Sequence, residues 1–220
     1  MDSEYDHRLR IAETLAKLDG DLIDVADAER KLFDYMQLIH QWNQTFNLVQ
    51  NAEQQHFLNR HIIDSLTLYP LLKNTSFCLD VGSGAGLPGL PLAICRPQQQ
   101  WYLIDSNGKK TRFLTHVKSQ LALTAVSVVQ TRVESMHPPP RFQAIVLRAF
   151  ADLATIFKRT HHLCEVNGRI LAMKAHLSSD ELQDLEIVLR NQESWKFSIH
   201  QLAGATTDNK RQVVVIQRQP

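Results

Sequence analysis

The spacing of apolar residues changes part-way along the chain. Between Glu29 and Trp42 they recur every three to four positions, and a similar pattern covers Glu53 to Leu72, so each stretch predicts a helix with one apolar face. The segment between them, WNQTFNLVQN, lacks this period and predicts a turn. We therefore expect residues 1–75 to form a mostly helical extension.

From residue 77 onward, short apolar runs alternate with amphipathic stretches. The predicted strands are 77–81, 100–105, 125–130, 143–148, 168–174, 195–201 and 212–218, and the predicted helices are 88–96, 108–122, 151–163 and 179–192. Asn167-Gly168 predicts a helix end, and Ser178-Ser179 predicts a helix start. This alternation favours an α/β domain over 76–220, with a mainly parallel sheet between two layers of helices. The last two strands have no helix between them and are expected to pair as a hairpin.

Composition narrows the possible classes of protein. The chain is 44% hydrophobic and 21% charged, as in an ordinary globular protein, and we expect the extension and the α/β domain to pack as one unit. Its net charge of +1 gives no general attraction to nucleic acid, so RNA binding would need a local basic patch. The three cysteines are far apart, which favours buried free thiols in a reducing cytoplasm. The polar start of the chain is not typical of a signal peptide, and no apolar run is long enough to span a bilayer.

The most specific motif is FCLDVGSGAGLPG at residues 77–89, in which a strand leads through a glycine-rich turn into a helix. The glycines permit positive φ and let the backbone approach a ligand closely. A dinucleotide fingerprint would need a third glycine at Leu87, and Pro88 removes one N–H donor from a pyrophosphate. The turn therefore favours S-adenosylmethionine. Seven strands ending in a hairpin are also the arrangement of class I S-adenosylmethionine-dependent methyltransferases, a Rossmann-like fold.

The predicted cofactor contacts follow the carboxyl ends of the first three strands. They are Asp80, Gly82, Ser83, Gly84, Gly86 and Leu87 around the turn, Asp105 and Ser106 after the second strand, and Val133 and Glu134 after the third. Asp105 is placed to bind the ribose diol, although Asp105-Ser106 also suits a helix cap. Glu134 is placed to accept from the adenine amino group, and its alternative is an exposed loop residue. Asp80 can orient the turn or meet the cationic methionine end of the ligand, and Leu87 can contact the ligand or pack in the core.

The end of the fourth strand, LRAF, faces the transferred methyl group in this architecture. It lacks the N/D-P-P-Y/F motif of exocyclic amine methylation, and no cysteine follows a proline as cytosine-C5 methylation would require. Arg148 can hold a carboxylate or phosphate or bind guanine, and its alternative is an ion pair with an acid such as Asp80. Guanine N7 suits this site because its lone pair accepts a methyl without losing a proton. We therefore expect Arg148 to position the substrate, with no general base.

Basic residues near the predicted cofactor edge are candidates for binding RNA. They are Arg60, His61, Lys109, Lys110, Lys174 and Arg211. Each taken singly also suits a solvated surface, but together they would form a patch that follows phosphates. The ten histidines show no spacing typical of metal ligands, so we expect no metal.

Six sequence strings, in order, resemble the ribosomal RNA small subunit methyltransferase G family, also called glucose-inhibited division protein B. They are QWNQTFNLVQ, RHIIDSL, LDVGSGAGLPGLPLAI, LIDSNGKKTRFL, TRVE and LRAFADL. The resemblance covers about residues 30–218. It departs from the family at Lys174-Ala175, where Lys-Gly is usual, and at Lys210-Arg211-Gln212, where Glu-Arg-His is usual.

The resemblance implies S-adenosylmethionine-dependent methylation of N7 of guanine 527, in the 530 loop of 16S rRNA, in bacterial cytoplasm. It places cofactor contacts on Gly82, Leu87, Val133, Glu134 and Arg148, so that Arg148 contacts the cofactor as well as, or instead of, the substrate. The expected partner is 16S rRNA or the 30S subunit, with the protein as a monomer. Two alternatives stay open: a small-molecule methyltransferase, or a nucleotide-dependent binding module or oxidoreductase.

Overall fold

The computed structural model describes residues 4–18, 24–50, 56–136, 141–148, 150–190, 192–202 and 211–220. Its helices are α1 (Glu4–Ala16), α2 (Val25–Asn43), α3 (Asp64–Leu66), α4 (Gly89–Cys95), α5 (Gly108–Gln120), α6 (Leu153–Thr160) and α7 (Ser179–Leu189). Its strands are β1 (Phe77–Val81), β2 (Gln100–Asp105), β3 (Val126–Gln130), β4 (Phe142–Arg148), β5 (Cys164–Lys174), β6 (Trp195–Leu202) and β7 (Arg211–Arg218).

These strands form one sheet in the order β3-β2-β1-β4-β5-β7-β6. Strand β7 runs antiparallel to both of its neighbours, and the pairs among β1 to β5 are parallel. The predicted α/β class and the terminal hairpin are therefore confirmed. From β1 the chain moves outward to β2 and β3 and then returns to β4 on the other side of β1. The carboxyl ends of β1 and β4 thus border the switch point where open α/β sheets bind ligands.

Two apolar layers enclose the sheet. One face packs against α1, α2, the segment from 58 to 72, α4 and α5, and the other face packs against α6 and α7. Central strand residues such as Leu79, Leu103 and Ile145 are fully buried, which explains why these strands are continuous apolar runs. The predicted buried state of Cys78, Cys95 and Cys164 is confirmed, and all three are free thiols.

The amino-terminal half of the chain differs in detail from the prediction. Helix α2 begins four residues before Glu29 because Asp24 caps it by accepting a hydrogen bond from the Asp27 N–H at 3.0 Å. The single helix predicted over 53–72 is wrong in its described part. A π-helical turn over Leu58–Ile63 leads into α3, and a 3₁₀ turn over Tyr69–Leu72 follows. Residues 53–55 of that prediction lie outside the described residues.

The turn after α2 is built by one buried amide. The Asn43 Oδ1 accepts from the Leu48 and Val49 N–H groups at 2.7 and 2.9 Å, and its Nδ2 donates to the Val49 carbonyl at 3.0 Å. Asn43 is 5% exposed, so these bonds replace the water that the loop backbone would otherwise need. The predicted turn in WNQTFNLVQN is confirmed.

The prediction that Asn167-Gly168 ends a helix is also wrong. Helix α6 stops at Thr160, a 3₁₀ turn covers His161–Leu163, and β5 already begins at Cys164. Asn167 has φ 65°, and the pairing with β4 jumps from Phe142–Cys164 to Ala144–Arg169. The two residues therefore bend a strand: Asn167 adopts the left-handed conformation, and Gly168 leaves space that a Cβ would fill, 2.8 Å from the Cys164 Sγ.

Candidate active site

The glycine-rich turn sits on the carboxyl edge of β1 and is tied to the end of β2. The N–H groups of Gly82 and Ser83 both donate to the Ile104 carbonyl, at 2.9 and 3.0 Å. The Gly84 N–H donates to the Asp105 Oδ2 at 2.9 Å. Gly82, Gly84 and Gly86 have φ of 68°, 58° and 99°, so the predicted positive φ is confirmed at all three. The sequence folds this way because glycine adopts these angles without strain.

Asp80, near the end of β1, stabilises this turn from the protein interior. Its side chain is fully buried, and its Oδ2 accepts from the Gly89 N–H at the start of α4, at 3.0 Å. Burial raises the pKa of the Asp80 carboxyl to about 7, against the lowering effect of its hydrogen bonds to Gly89 and Ser83. Its Oδ1 has no hydrogen-bond partner among the described residues. Asp80 therefore orients the turn, one of the two roles that its position predicts.

A cleft of about 400 Å³ opens beside the turn, between the ends of β1, β2 and β3. Five predicted cofactor residues line it: Gly82, Asp105, Ser106, Val133 and Glu134. The other lining residues are Val81, Ile104, Lys110, Thr131, Arg132, Phe150 and Arg159. The volume lies within the range of small-molecule sites. Leu87 packs in the core instead, at 6% exposure.

Asp105 lies at the floor of the cleft. Its Oδ2 accepts from Gly84, its Oδ1 accepts from the Asn107 N–H at 2.8 Å, and the Lys110 Nζ lies 4.0 Å from Oδ2. The carboxylate is thus fixed in direction while lining the cleft, as a ribose-binding acid must be. The predicted helix-cap alternative falls one residue later, because Asn107 caps α5 by accepting from the Lys109 N–H at 2.9 Å. Ser106 is exposed at the cleft rim.

The outer wall of the cleft holds Glu134, Arg159 and Phe150. The Arg159 Nε lies 3.1 Å from the Glu134 Oε1, and the guanidinium lies 5.9 Å from the centre of the Phe150 ring. A Cβ on Gly82 would come within 2.9 Å of the Phe150 Cδ2, so this ring needs the glycine. Arg159 was missed from the sequence, where nothing distinguishes it from other basic residues on amphipathic helices.

A second polar group surrounds Arg148 on the other side of the turn, outside the lining of the cleft. Arg148 lies 3.7 Å from the Asp64 Oδ2 through its Nη1, which also donates to the Arg60 carbonyl at 3.3 Å. Burial lowers the pKa of Arg148, and Asp64 opposes this shift. The predicted alternative of an ion pair with Asp80 is therefore corrected: the acid that pairs with Arg148 is Asp64, which lies in the quoted string RHIIDSL.

Tyr35 connects helix α2 to the glycine-rich turn. Its side chain is fully buried, and its hydroxyl donates to the Ala85 carbonyl at 2.7 Å. Burial raises the pKa of Tyr35 well above its ordinary value, so the phenol stays protonated and remains a donor. Tyr35 was missed from the sequence, where nothing distinguishes it from other aromatic residues of a helix.

The six basic candidates differ in exposure and in the charge that they can offer to RNA. Arg60 and Lys109 are exposed, and Lys110 lines the cleft. The Lys174 Nζ instead contacts the Glu181 Oε1 and the Ala151 carbonyl, both at 2.6 Å, and Arg211 contacts Asp64 at 3.2 Å. Burial, followed by the charges of Arg148, Arg211 and Arg60, lowers the pKa of His61 to about 3, so it adds no positive charge. Lys210 lies outside the described residues.

Metal-binding clusters and membrane-spanning helices are two further features that bear on function. Among the described residues, no cluster of three or more His, Cys, Asp or Glu side chains is arranged to hold a metal ion. No helix in those same residues has both the length and the apolar composition to cross a membrane.

The fold and the glycine-rich turn define a class I methyltransferase architecture. SibL, an S-adenosylmethionine-dependent methyltransferase solved in its apo form, is similar at TM-score 0.62 and 13% identity, over 99% of this chain and 74% of that one. The plantazolicin methyltransferase BpumL, solved in complex with SAH, is similar at TM-score 0.55 and 10% identity, over 99% of both chains. At such identities the likeness concerns the fold.

Sequence comparison gives the family. The profile described as rRNA small subunit methyltransferase G matches residues 28–214. The ribosomal RNA small subunit methyltransferase G of Hydrogenovibrio crunogenus is 41% identical over 83% of this chain and 85% of its own length. The protein of the same name from Pseudomonas paraeruginosa is 39% identical over 94% and 95%. The chain belongs to the rRNA small subunit methyltransferase G family.

Proposed function

We propose that this protein transfers a methyl group from S-adenosylmethionine to N7 of guanine 527 in the 530 loop of 16S rRNA. The observation that carries the proposal is the match of the family profile to residues 28–214. The class I methyltransferase fold and the position of the cleft at the carboxyl edge of its parallel strands agree with a methyl transfer. The acceptor position, N7 of guanine 527, is supported by the resemblance of the sequence motifs to the family and by the absence of a need for a general base at N7.

The residues of the cleft fit S-adenosylmethionine. Asp105 offers a fixed carboxylate to the ribose diol, and Glu134 and Val133 offer a carboxylate and an apolar surface to adenine. The backbone of the glycine-rich turn is not covered by side chains. Gly82 and Gly86 must be glycine, because a Cβ on either would clash with a neighbouring side chain. The methionine end would face Arg148 and the turn supported by Asp80. The unpaired Oδ1 of Asp80 is a polar atom suited to the cationic end of such a ligand.

When bound, S-adenosylmethionine supplies a methyl group attached to a sulfonium, which is electrophilic. Guanine N7 carries a lone pair and no proton, so the chain needs to orient the base without deprotonating it. Arg148 is placed to hold the RNA so that the base lies in line with the methyl group, because Asp64 and the Arg60 carbonyl fix its guanidinium at the end of β4. Catalysis then depends on alignment and proximity, worth up to about 7–11 kcal/mol in favourable cases.

Binding of the RNA depends on local charge, because the net charge is only +1. The exposed Arg60 and Lys109, with Lys110 at the cleft, would contact phosphates along the carboxyl edge of the sheet. We place the reaction in bacterial cytoplasm, with 16S rRNA or the 30S subunit as partner and the protein acting as a monomer.

The direct test is transfer of labelled methyl from S-adenosylmethionine to 30S subunits from a strain that lacks this modification. Mass spectrometry then maps the labelled nucleotide. We expect one label per subunit, on N7 of guanine 527. Subunits that already carry the modification are the matched control and should take up no label.

Label on another nucleotide would overturn the acceptor position while keeping the rRNA methyltransferase. If the protein binds S-adenosylmethionine in calorimetry and labels neither naked 16S rRNA nor the 30S subunit, the acceptor is a small molecule. If it binds no S-adenosylmethionine, the cofactor proposal is wrong.

A further inference from the structure

A buried acid from the amino-terminal extension sits between two arginines at the edge of the sheet. The Asp64 side chain is 5% exposed. Its Oδ1 lies 3.2 Å from the Arg211 Nε, and its Oδ2 lies 3.7 Å from the Arg148 Nη1. The two arginines are at the end of β4 and the start of β7, and β7 is antiparallel, so both lie at the carboxyl edge of the parallel strands.

The backbone that carries Asp64 is unusual. The preceding six residues, Leu58–Ile63, form a π-helical turn. This conformation is rare in proteins overall, but many of its examples occur at functional sites. The turn continues directly into α3, which begins at Asp64. Its Arg60 carbonyl also accepts from Arg148, so the same segment holds that guanidinium at two points. The extension therefore contributes directly to the methyl-transfer edge.

The charges of this group do not cancel. Two guanidiniums face one carboxylate, and the neighbouring His61 stays neutral because its pKa is lowered to about 3. Burial raises the pKa of Asp64, while Arg211 and then Arg148 lower it. An excess positive charge held in a partly buried place favours an anionic ligand.

The arginines also keep surface for such a ligand. Their side chains are 19% and 23% exposed, for Arg148 and Arg211 respectively. The contact of Arg211 with Asp64 is made by Nε, at 3.2 Å. A planar guanidinium can bind a phosphate bidentately through two of its nitrogens.

We propose that Asp64 is a positioning residue that holds Arg148 and Arg211 side by side as a clamp for a backbone phosphate of the RNA substrate. This deepens the proposed function and rests on it. Asp64 does not touch the RNA; it fixes the two guanidiniums so that they meet one phosphate near the target base. Without its charge, both arginines lose their common partner and turn toward water.

The test compares D64N with the wild-type protein in methyl transfer to unmodified 30S subunits. Asparagine keeps the shape and one acceptor oxygen but removes the charge. We expect KM for the subunit to rise roughly tenfold, the usual effect of one lost charge-assisted contact. Affinity for S-adenosylmethionine, measured by calorimetry without RNA, should change much less than this KM.

The matched control is E29Q. Glu29 also forms an ion pair within the extension, with the Arg8 Nη1 at 3.1 Å, and its side chain is 17% exposed. This pair joins α1 to α2, so E29Q loses a similar contact and should leave KM unchanged. A rise in KM in both variants would mean that general loosening of the extension explains the effect, and would overturn the proposal.

A double-mutant cycle separates positioning from a purely structural role. If Asp64 acts through both arginines, D64N combined with R211Q should raise KM by less than the product of the two single increases, because part of the effect of D64N passes through Arg211. Additive effects, or an unchanged KM in D64N, would overturn the proposal. If D64N does not fold, R211K gives the test: lysine keeps the charge without the fork, so a wild-type KM would overturn it. Wild-type protein that is inactive on every RNA form would overturn the proposed function instead.

Discussion

At the scale of single residues, the glycines of the glycine-rich turn are required for different physical reasons. Gly84 has φ 58°, but a Cβ there would meet nothing nearer than the Gly82 carbonyl oxygen at 3.8 Å. Gly89 has ordinary dihedral angles, but a Cβ there would lie 2.5 Å from both the Asp80 Oδ2 and the Leu103 Cδ2. Gly84 is therefore required by backbone conformation, and Gly89 by close packing.

This difference predicts unequal effects of the same substitution. G89A should lower the free energy of unfolding by about 3 kcal/mol, because the fully buried Asp80 and Leu103 cannot move away. G84A should cost about 1 kcal/mol, the ordinary penalty of a left-handed alanine. Urea unfolding of both variants measures this. Equal losses would show that the contact between Gly89 and Asp80 is looser than described.

Glu134 offers a second prediction at this scale. E134A should weaken S-adenosylmethionine binding several-fold, because one charge-assisted hydrogen bond to adenine is lost. The free energy of unfolding should change by less than about 1 kcal/mol, since the ion pair with Arg159 is nearly half exposed on both sides. Calorimetry and urea unfolding give the two values.

The control for E134A is R159Q, which removes the same ion pair but keeps the carboxylate. It should bind S-adenosylmethionine at least as well as the wild-type protein, because Glu134 no longer has a competing partner. A loss equal to that of E134A would assign the effect to the ion pair and remove adenine recognition from Glu134.

At the scale of elements, sequence periodicity predicted the sheet well. Strands β1 and β2 have the predicted bounds, because each is a short, mainly apolar run with an aspartate at or next to its carboxyl end. Periodicity failed at Leu58–Leu72, where apolar spacing cannot distinguish a π or 3₁₀ turn from an α-helix. It also failed at Asn167-Gly168, because a strand bend and a helix end both use positive φ.

The loop after α2 gives a prediction for an element. N43A should lower the free energy of unfolding by about 2 kcal/mol, because it leaves the Leu48 and Val49 N–H groups without their acceptor. N43D is the matched control, since it keeps an oxygen acceptor and loses the donor to the Val49 carbonyl. It should be less destabilising in urea unfolding. If both variants unfold alike, the bonds to Oδ1 contribute little.

At the scale of the whole molecule, the extension and the α/β domain share one apolar core. Residues of α1 and α2, such as Leu15 and Leu32, belong to the same buried cluster as Trp101 and Val146 of the sheet. The sequence predicted the cofactor edge because those residues follow strand ends in chain order. It could not predict that Asp64 contacts Arg148 and Arg211, because these arginines lie 84 and 147 positions further along the chain.

Two buried groups set opposite pH dependences for the stability of this fold. The pKa of Asp80 rises from 3.8 to about 7, so its contribution to stability is largest at low pH and is lost as pH rises through 7. The pKa of His61 falls from 6.5 to about 3, so its contribution is present above about 6.5 and is lost as pH falls toward 3. The cofactor-free protein should therefore be most stable at an intermediate pH.

D80N isolates the pH dependence of stability that comes from Asp80. Asparagine can still accept from the Gly89 N–H but carries no charge. Relative to the wild-type protein, D80N should gain stability as pH rises from 5 to 8, because the wild-type carboxyl ionises in a buried site. Urea unfolding at pH 5, 6.5 and 8 gives the difference. Parallel pH profiles of the two proteins would contradict the raised pKa.

The hydrogen bond from Tyr35 to Ala85 has a consequence for local unfolding. The glycine-rich turn cannot open without breaking the one bond that a fully buried hydroxyl makes across the core, so the turn and α2 open as one cooperative unit. A ligand held by the turn then slows amide hydrogen exchange in α2, a helix that it does not touch. We expect occupancy of the cleft to be transmitted in this way to the extension, on which Asp64 also lies.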